Sequence, residues 1–242
     1  MPGPVALIGA GEFLPAMCAF DRGLLDATGC PRPRVVVIPT ASYPDGEETF
    51  QRWAAMGVAH FSDLGAEVEP LFVRDRAAAN DPAAAQAVGE ADLVYLSGGK
   101  PGYLVGVLAG TGLERALGDA HRRGAVLAGC SAGAMALAAH SFDFRLRVLP
   151  FMVKWRHGLG FVPGASVLPH YDAWPEPMAA LVALQSPRGT VVIGIDEGTG
   201  IVGRDGSWQV HGRSRVTLWR GRHRERFRDG EDFRLQDRPP AP

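Results

Sequence analysis

Cysteine is scarce: Cys18, Cys30 and Cys130 are the only three in 242 residues. Three cannot all pair within one chain, and their spacing fits neither a zinc site nor a CxxC redox motif. A disulfide scaffold is excluded, and a reducing compartment is the expected setting. Long apolar runs are missing too. None reaches the ~20 residues of a membrane span, and the longest stretch of small apolar residues, around Ser131, is broken by glycines. The N-terminal "MPGPVALIGAGEF" has no basic segment before its short apolar run, so it reads as a first strand and turn rather than a signal peptide. Excess charge of one sign is absent: the net charge is −1 with 21% charged residues. That excludes bulk attraction to nucleic acid or to an acidic membrane. No repeat and no linker interrupts the chain. Residues 1–242 are expected to form a single domain, with a charged C-terminal extension from about residue 221 that reads as a late strand followed by a frayed, proline-rich end. The expectation is a cytoplasmic protein with no nucleic-acid and no membrane partner. A homodimer would be ordinary for it.

What is present is a sizeable core, with 46% hydrophobic residues. Short apolar or β-branched runs recur and each ends in glycine or a turn: "VALIG" (5–9), "RVVVIPT" (34–40), "AEVEPLFV" (66–73), "DLVYLSGG" (92–99) and "AVLAG" (125–129). Helical spacing separates them. In "EETFQRWAAMGVAHFSDLG" (47–65), Phe50, Trp53, Gly57, His60, Phe61 and Leu64 share one face. Asp81 precedes Pro82 as an N-cap precedes the first helical residue. "GLERALGDAHRRG" ends in two arginines and a glycine, a helix stop. Alternating strand and helix predicts an α/β fold with a mostly parallel sheet covered by helices on both faces. After Ala139 the pattern changes. Strands "SVLPH" and "TVVIGID" flank a helix that begins near Trp174 to Pro177. "GTGIVG", "SWQVHG" and "RVTLWR" then read as an antiparallel finish on the same sheet.

Ligand sites in such sheets form beyond the carboxyl ends of the strands. Three stretches fall there: "GAGEF", "SGGKPGYL" and "GCSAGA". The last, in "AVLAGCSAGAMALAA", fits a nucleophile elbow, where a serine stands exposed between a buried strand and a helix. Small neighbours are needed because the turn is crowded. The N–H of Ala132 would be one oxyanion donor, and the Gly98–Gly99 backbone a second. Ser131 also needs a base. Of seven histidines, His170 is preferred because it ends a predicted strand on the elbow's edge, and His157 in "KWRHGLGF" is the runner-up. His140 is expected near the end of the elbow helix, about 12 Å away at 1.5 Å per residue. An orienting carboxylate is open between Asp196 and Glu197, only one of which can face the site, with Asp143 and Asp172 as alternatives. Cys130, one place before the elbow position, is read as a buried small hydrophobe.

"GCSAGA", preceded by "LIGAGE" and "SGGKPGYL" and followed by "PHY" and "GIDEGT", resembles the serine peptidase family of aspartyl dipeptidase (dipeptidase E) and cyanophycinase. The resemblance spans about Val5 to Val202. It implies a three-layer α/β/α sandwich of the class I glutamine amidotransferase-like type, with flavodoxin-like topology. It implies Ser131 as nucleophile, His170 as base, Glu197 as orienting acid with Asp143 as the alternative acid, and Gly99 and Ala132 as oxyanion donors. It requires no metal and no cofactor. Two departures stand out. Lys100 follows the two glycines where the family has a short polar residue. "HYDAWPEPM" (170–178) lacks the arginine used to bind acidic substrates, which argues against aspartyl specificity. Lys100 and Trp174 remain candidate contacts for a short peptide or small amide substrate, and Trp155 could line the same pocket. The competing readings are an amide or ester hydrolase or amidotransferase-like enzyme on a small metabolite, and a non-catalytic binding protein with the same fold.

Overall fold

The computed structural model describes residues 1–144 and 153–235, so the expected proline-rich end lies outside the described residues. The apolar runs of the N-terminal half form β1 (Val5–Ile8), β2 (Arg34–Ile38), β3 (Glu67–Pro70), β4 (Leu93–Leu96) and β5 (Val126–Cys130). They pair in parallel in the spatial order β1-β5-β4-β2-β3. The intervening segments form α1 (Cys18–Asp26), α2 (Glu47–Asp63), α3 (Pro82–Glu90), α4 (Pro101–Leu108) and α5 (Gly112–Arg123). In α2 the predicted stripe is buried at Phe50, Gly57, His60 and Phe61, whereas Trp53 and Leu64 are half-buried at its margin. Asp81 caps α3 by accepting the Ala83 N–H at 2.9 Å, and Gly124 (φ 116°) closes α5 in the left-handed region.

Side chains alternate across a strand, and the two faces of the parallel strands bury separate cores. Val5 and Leu7 pack with Val88 of α3, Leu104 of α4 and Leu117 of α5. Ala6 and Ile8 pack with Leu24 and Leu25 of α1 and Phe61 of α2.

After β5 comes α6 (Ala132–Leu137), which runs directly into β6 (Ala138–Phe144). His140 therefore sits on a strand and not on the elbow helix, with Nδ1 3.2 Å from Thr190 Oγ1. The helix propensity of "ALAA" is overridden because β6 finds ladder partners on both sides. These are β7 (Val153–His157) and β8 (Val162–Leu168). His157 likewise lies on a strand, at the end of β7. α7 (Glu176–Leu184) leads to β9 (Val191–Ile195), which pairs in parallel with β8.

The remaining strands are β10 (Thr199–Arg204), β11 (Ser207–Gly212), β12 (Arg215–Arg220), β13 (His223–Arg228) and β14 (Asp232–Arg234). They do not finish one sheet. Among the described residues two mixed sheets form, in the orders β14-β11-β10-β1-β5-β4-β2-β3 and β13-β12-β9-β8-β6-β7. β1 and β9 would each otherwise leave an open edge of unpaired backbone, and the terminal strands divide to cover both. Alternating hydrophobicity identifies a strand, but not which edge it joins. Among the described residues no helix is long and apolar enough to cross a membrane.

Candidate active site

Ser131 stands between the end of β5 and the start of α6, with φ 50° and ψ −109°. Such a backbone costs a non-glycine residue about 1–3 kcal/mol and persists only when its surroundings enforce it. Here the Ser131 N–H donates to Ile8 O at 2.9 Å, and its carbonyl accepts the Met135 N–H at 3.0 Å. The glycines of the motif are set by close approach. A Cβ on Gly133 would lie 2.0 Å from the Leu96 carbonyl oxygen, and one on Gly129 would lie 2.5 Å from the Gly133 carbonyl carbon. Strand, helix and neighbouring strand meet without room for side chains.

His170 follows β8 in the left-handed region, φ 49° and ψ 40°. Its Nε2 is 3.0 Å from Ser131 Oγ. Glu197 lies just beyond β9, and its Oε1 is 2.8 Å from His170 Nδ1. With Nδ1–H donated to the carboxylate, Nε2 is left to accept the serine hydroxyl proton. Both side chains are nearly half exposed, so the series opens to solvent. Asp172 accepts the Glu197 backbone N–H at 2.9 Å and so holds the acid's own loop. Asp196 faces away, as strand alternation requires. It is 1% exposed, accepts the Ser214 hydroxyl at 2.6 Å and lies 3.5 Å from Arg215.

Gly99 adopts φ 138°, and a Cβ there would sit 2.2 Å from the Ala41 carbonyl oxygen, so only glycine fits. The N–H groups on either side of Gly99 are engaged: Gly98 donates to Glu12 Oε1 at 2.9 Å and Lys100 to Ala41 O at 2.7 Å. Gly99 N–H itself has no acceptor among the described residues, nor has Ala132 N–H, the first of α6.

The other sequence candidates are placed elsewhere. Lys100 Nζ lies 3.3 Å from Asp45 in a well-exposed pair. Asp143 pairs with Arg156 at 2.7 Å, beside the start of α4. The His157 ring neighbours His140, with centroids 5.9 Å apart. Trp174 donates from Nε1 to Pro169 O at 3.1 Å, and Trp155 packs edge-on to Phe142 at 5.1 Å. Among the described residues no three His, Cys, Asp or Glu side chains are placed to hold a metal.

Cys130 is fully buried, as expected of its place in the strand. Burial pushes its thiol well above the ordinary value, and the charge of Glu12 adds to the effect. A thiol held protonated is a poor nucleophile. Its S–H points to Glu12 Oε2, 2.9 Å away. Glu12 is the residue that sequence reasoning passed over. The only signal was an acidic side chain among glycines at the end of the first strand.

Hydrogen-bonded serine, histidine and carboxylate side chains gathered at strand ends are the equipment of serine-type hydrolases. The chain belongs to peptidase family S51, whose family model matches residues 6–211, and with it to the serine peptidases. It is similar to the cyanophycinase of Trichormus variabilis (strain ATCC 29413 / PCC 7937), 29% identical over an alignment of 209 residues that covers 81% of this chain and 66% of that protein. The cyanophycinase of Geminocystis herdmanii (strain PCC 6308) is 31% identical over an alignment of 170 residues that covers 66% of this chain and 61% of that protein. The chain thus spans about two thirds of the length of these relatives. The crystal structure of a peptidase from an acI-B1 Actinobacterium superposes with a TM-score of 0.86 at 33% identity, covering 97% of both chains. A putative Peptidase E protein from Listeria monocytogenes EGD-e shares the fold, with a TM-score of 0.65 at 19% identity over 88% of this chain and 100% of that one.

Proposed function

We propose that this protein hydrolyses short peptides by acyl transfer through Ser131, His170 and Glu197. The observation that carries the reading is the unbroken hydrogen-bond series from Ser131 Oγ to His170 at 3.0 Å and from His170 to Glu197 at 2.8 Å. Ser131 Oγ attacks the peptide carbonyl while its proton passes to His170 Nε2. Glu197 holds the Nδ1–H and stabilises the imidazolium that forms. The carbonyl oxygen becomes an oxyanion between the N–H groups of Gly99 and Ala132. Collapse of the tetrahedral species breaks the C–N bond, and the leaving amine takes the proton from His170. Water then attacks the acyl ester, delivers a proton to His170, and releases the acid with Ser131 restored.

Selection of acidic residues finds no support in the segment that follows His170 or in Lys100. Residues 170–178 supply no arginine, Lys100 is paired with Asp45, and Glu176 is engaged by Arg224 and Arg226. The substrate class is therefore left at short peptides. The architecture is read as a three-layer, glutamine amidotransferase-like fold. The separate cores on the two faces of the parallel strands support this. So does the strand order, in which β1 takes the place a flavodoxin-like sheet gives to its fifth strand. One domain is proposed because a single core joins residues of both sheets, including Ile201, Val210 and Val216.

The test is intact-mass spectrometry after fluorophosphonate treatment. Wild type is expected to take one adduct at Ser131, Ser131→Ala none, and His170→Ala an adduct only slowly. Normal labelling of folded Ser131→Ala would remove the nucleophile assignment. If the labelled enzyme cleaves small esters but no member of a dipeptide and tripeptide library, the peptide substrate is wrong and the metabolite hydrolase reading replaces it.

A further inference from the structure

We propose that Glu12 is a positioning residue that sets the oxyanion hole by pinning the Gly98–Gly99 backbone. The inference rests on the serine-peptidase reading of the same site. Glu12 follows β1, is 7% exposed, and reaches across the ends of two other strands. Its Oε1 accepts the Gly98 N–H beyond β4 at 2.9 Å, and its Oε2 takes the Cys130 S–H at the end of β5 at 2.9 Å. One carboxylate thus ties together the ends of β1, β4 and β5. A Cβ placed on Gly98 would lie 2.5 Å from Glu12 Oε1 and 3.5 Å from Ser131 Cβ, so the Gly98 backbone lies close to both the carboxylate and the nucleophile.

The loop needs this. Two consecutive glycines rotate freely in an unconstrained chain, and an oxyanion donor works only if its direction is fixed before the reaction. Gly99 N–H has no partner of its own among the described residues. Its direction is set from both sides, by Glu12 holding Gly98 N–H and Ala41 holding Lys100 N–H at 2.7 Å. Cys130 completes the arrangement as the donor that aims the Glu12 carboxylate, which gives this cysteine a role other than nucleophile.

The experiment compares wild type, Glu12→Gln and Glu12→Leu. It reads the kinact and KI of fluorophosphonate labelling, and amide hydrogen exchange of residues 97–100. Glu12→Gln keeps an acceptor for Gly98 and a polar contact for the sulfur, and is expected to stay within about threefold of wild type. Glu12→Leu is expected to lower kinact by about 10²–10³, the loss typical of a missing oxyanion donor, with KI unchanged and faster exchange at 97–100. A folded Glu12→Leu that labels at the wild-type rate overturns the inference, as does a Glu12→Gln as slow as Glu12→Leu. If Glu12→Leu does not fold, Glu12→Asp decides. Its carboxylate, one methylene shorter, cannot span both partners, so at least tenfold slower labelling is expected and wild-type labelling overturns the proposal. A wild type that takes no fluorophosphonate sinks the serine reading. The exchange of 97–100 then stands alone, and unchanged exchange in Glu12→Leu sinks the pinning as well.

Discussion

Ser131 and Cys130 are neighbours with opposite fates. The serine is turned out on a strained backbone toward His170, while the thiol is turned inward to Glu12 and held protonated by burial. Iodoacetamide at pH 8 is expected to modify the exposed Cys30 and to leave Cys130 intact until the protein is unfolded. Peptide mapping of the alkylated protein reads this directly, and rapid modification of folded Cys130 would contradict the assignment. Ser131 and His170 were legible in the sequence because each ends an apolar run on the same edge of the fold. The choice between Asp196 and Glu197 was not legible. Alternation says that one of them faces the site, but which one depends on the phase of β9, fixed by its ladders to β8 and β12. Glu12 was hidden for the same reason, since its partners are 86 and 118 residues away in the chain.

At the scale of elements, local punctuation was readable and pairing was not. Asp81, Pro82 and Gly124 mark helix ends in the sequence and do so in the molecule. The division of the last five strands between two sheets had no local signal, because an alternating pattern fits either open edge. The elbow is the element with least tolerance. Gly133→Ala would drive a methyl group into the Leu96 carbonyl, and overpacking of this kind costs typically about 1–3 kcal/mol, here against rigid backbone. An unfolding free energy lowered by at least that amount is expected in urea titration, with labelling of Ser131 lost. A Gly133→Ala protein of wild-type stability would mean that strand and helix do not meet this closely.

For the whole molecule, pH enters through two histidines outside the site. Burial pushes His140 below the ordinary value of 6.5, helped by neighbouring His157, and burial does the same to His121. Their folded forms resist protonation that the unfolded chain accepts. The stability they contribute is present above 6.5 and is lost as the pH falls from there toward their lowered values. The urea midpoint is therefore expected to drop between pH 7.5 and 5.5, and to drop less in His140→Gln and His121→Gln. An equal drop in both variants would show that other groups carry the effect.

Ser131 hangs from one sheet, His170 from the other, and Glu197 from the short link by which the chain passes between them. Under the proposed mechanism, turnover gauges how the two sheets are seated on their shared core. A slip of about 1 Å is enough to cost a hundredfold in rate, while every ladder hydrogen bond within each sheet survives. In mild urea, activity is expected to vanish ahead of the circular dichroism signal, and loss of both together would show that the sheets do not shift on their common core.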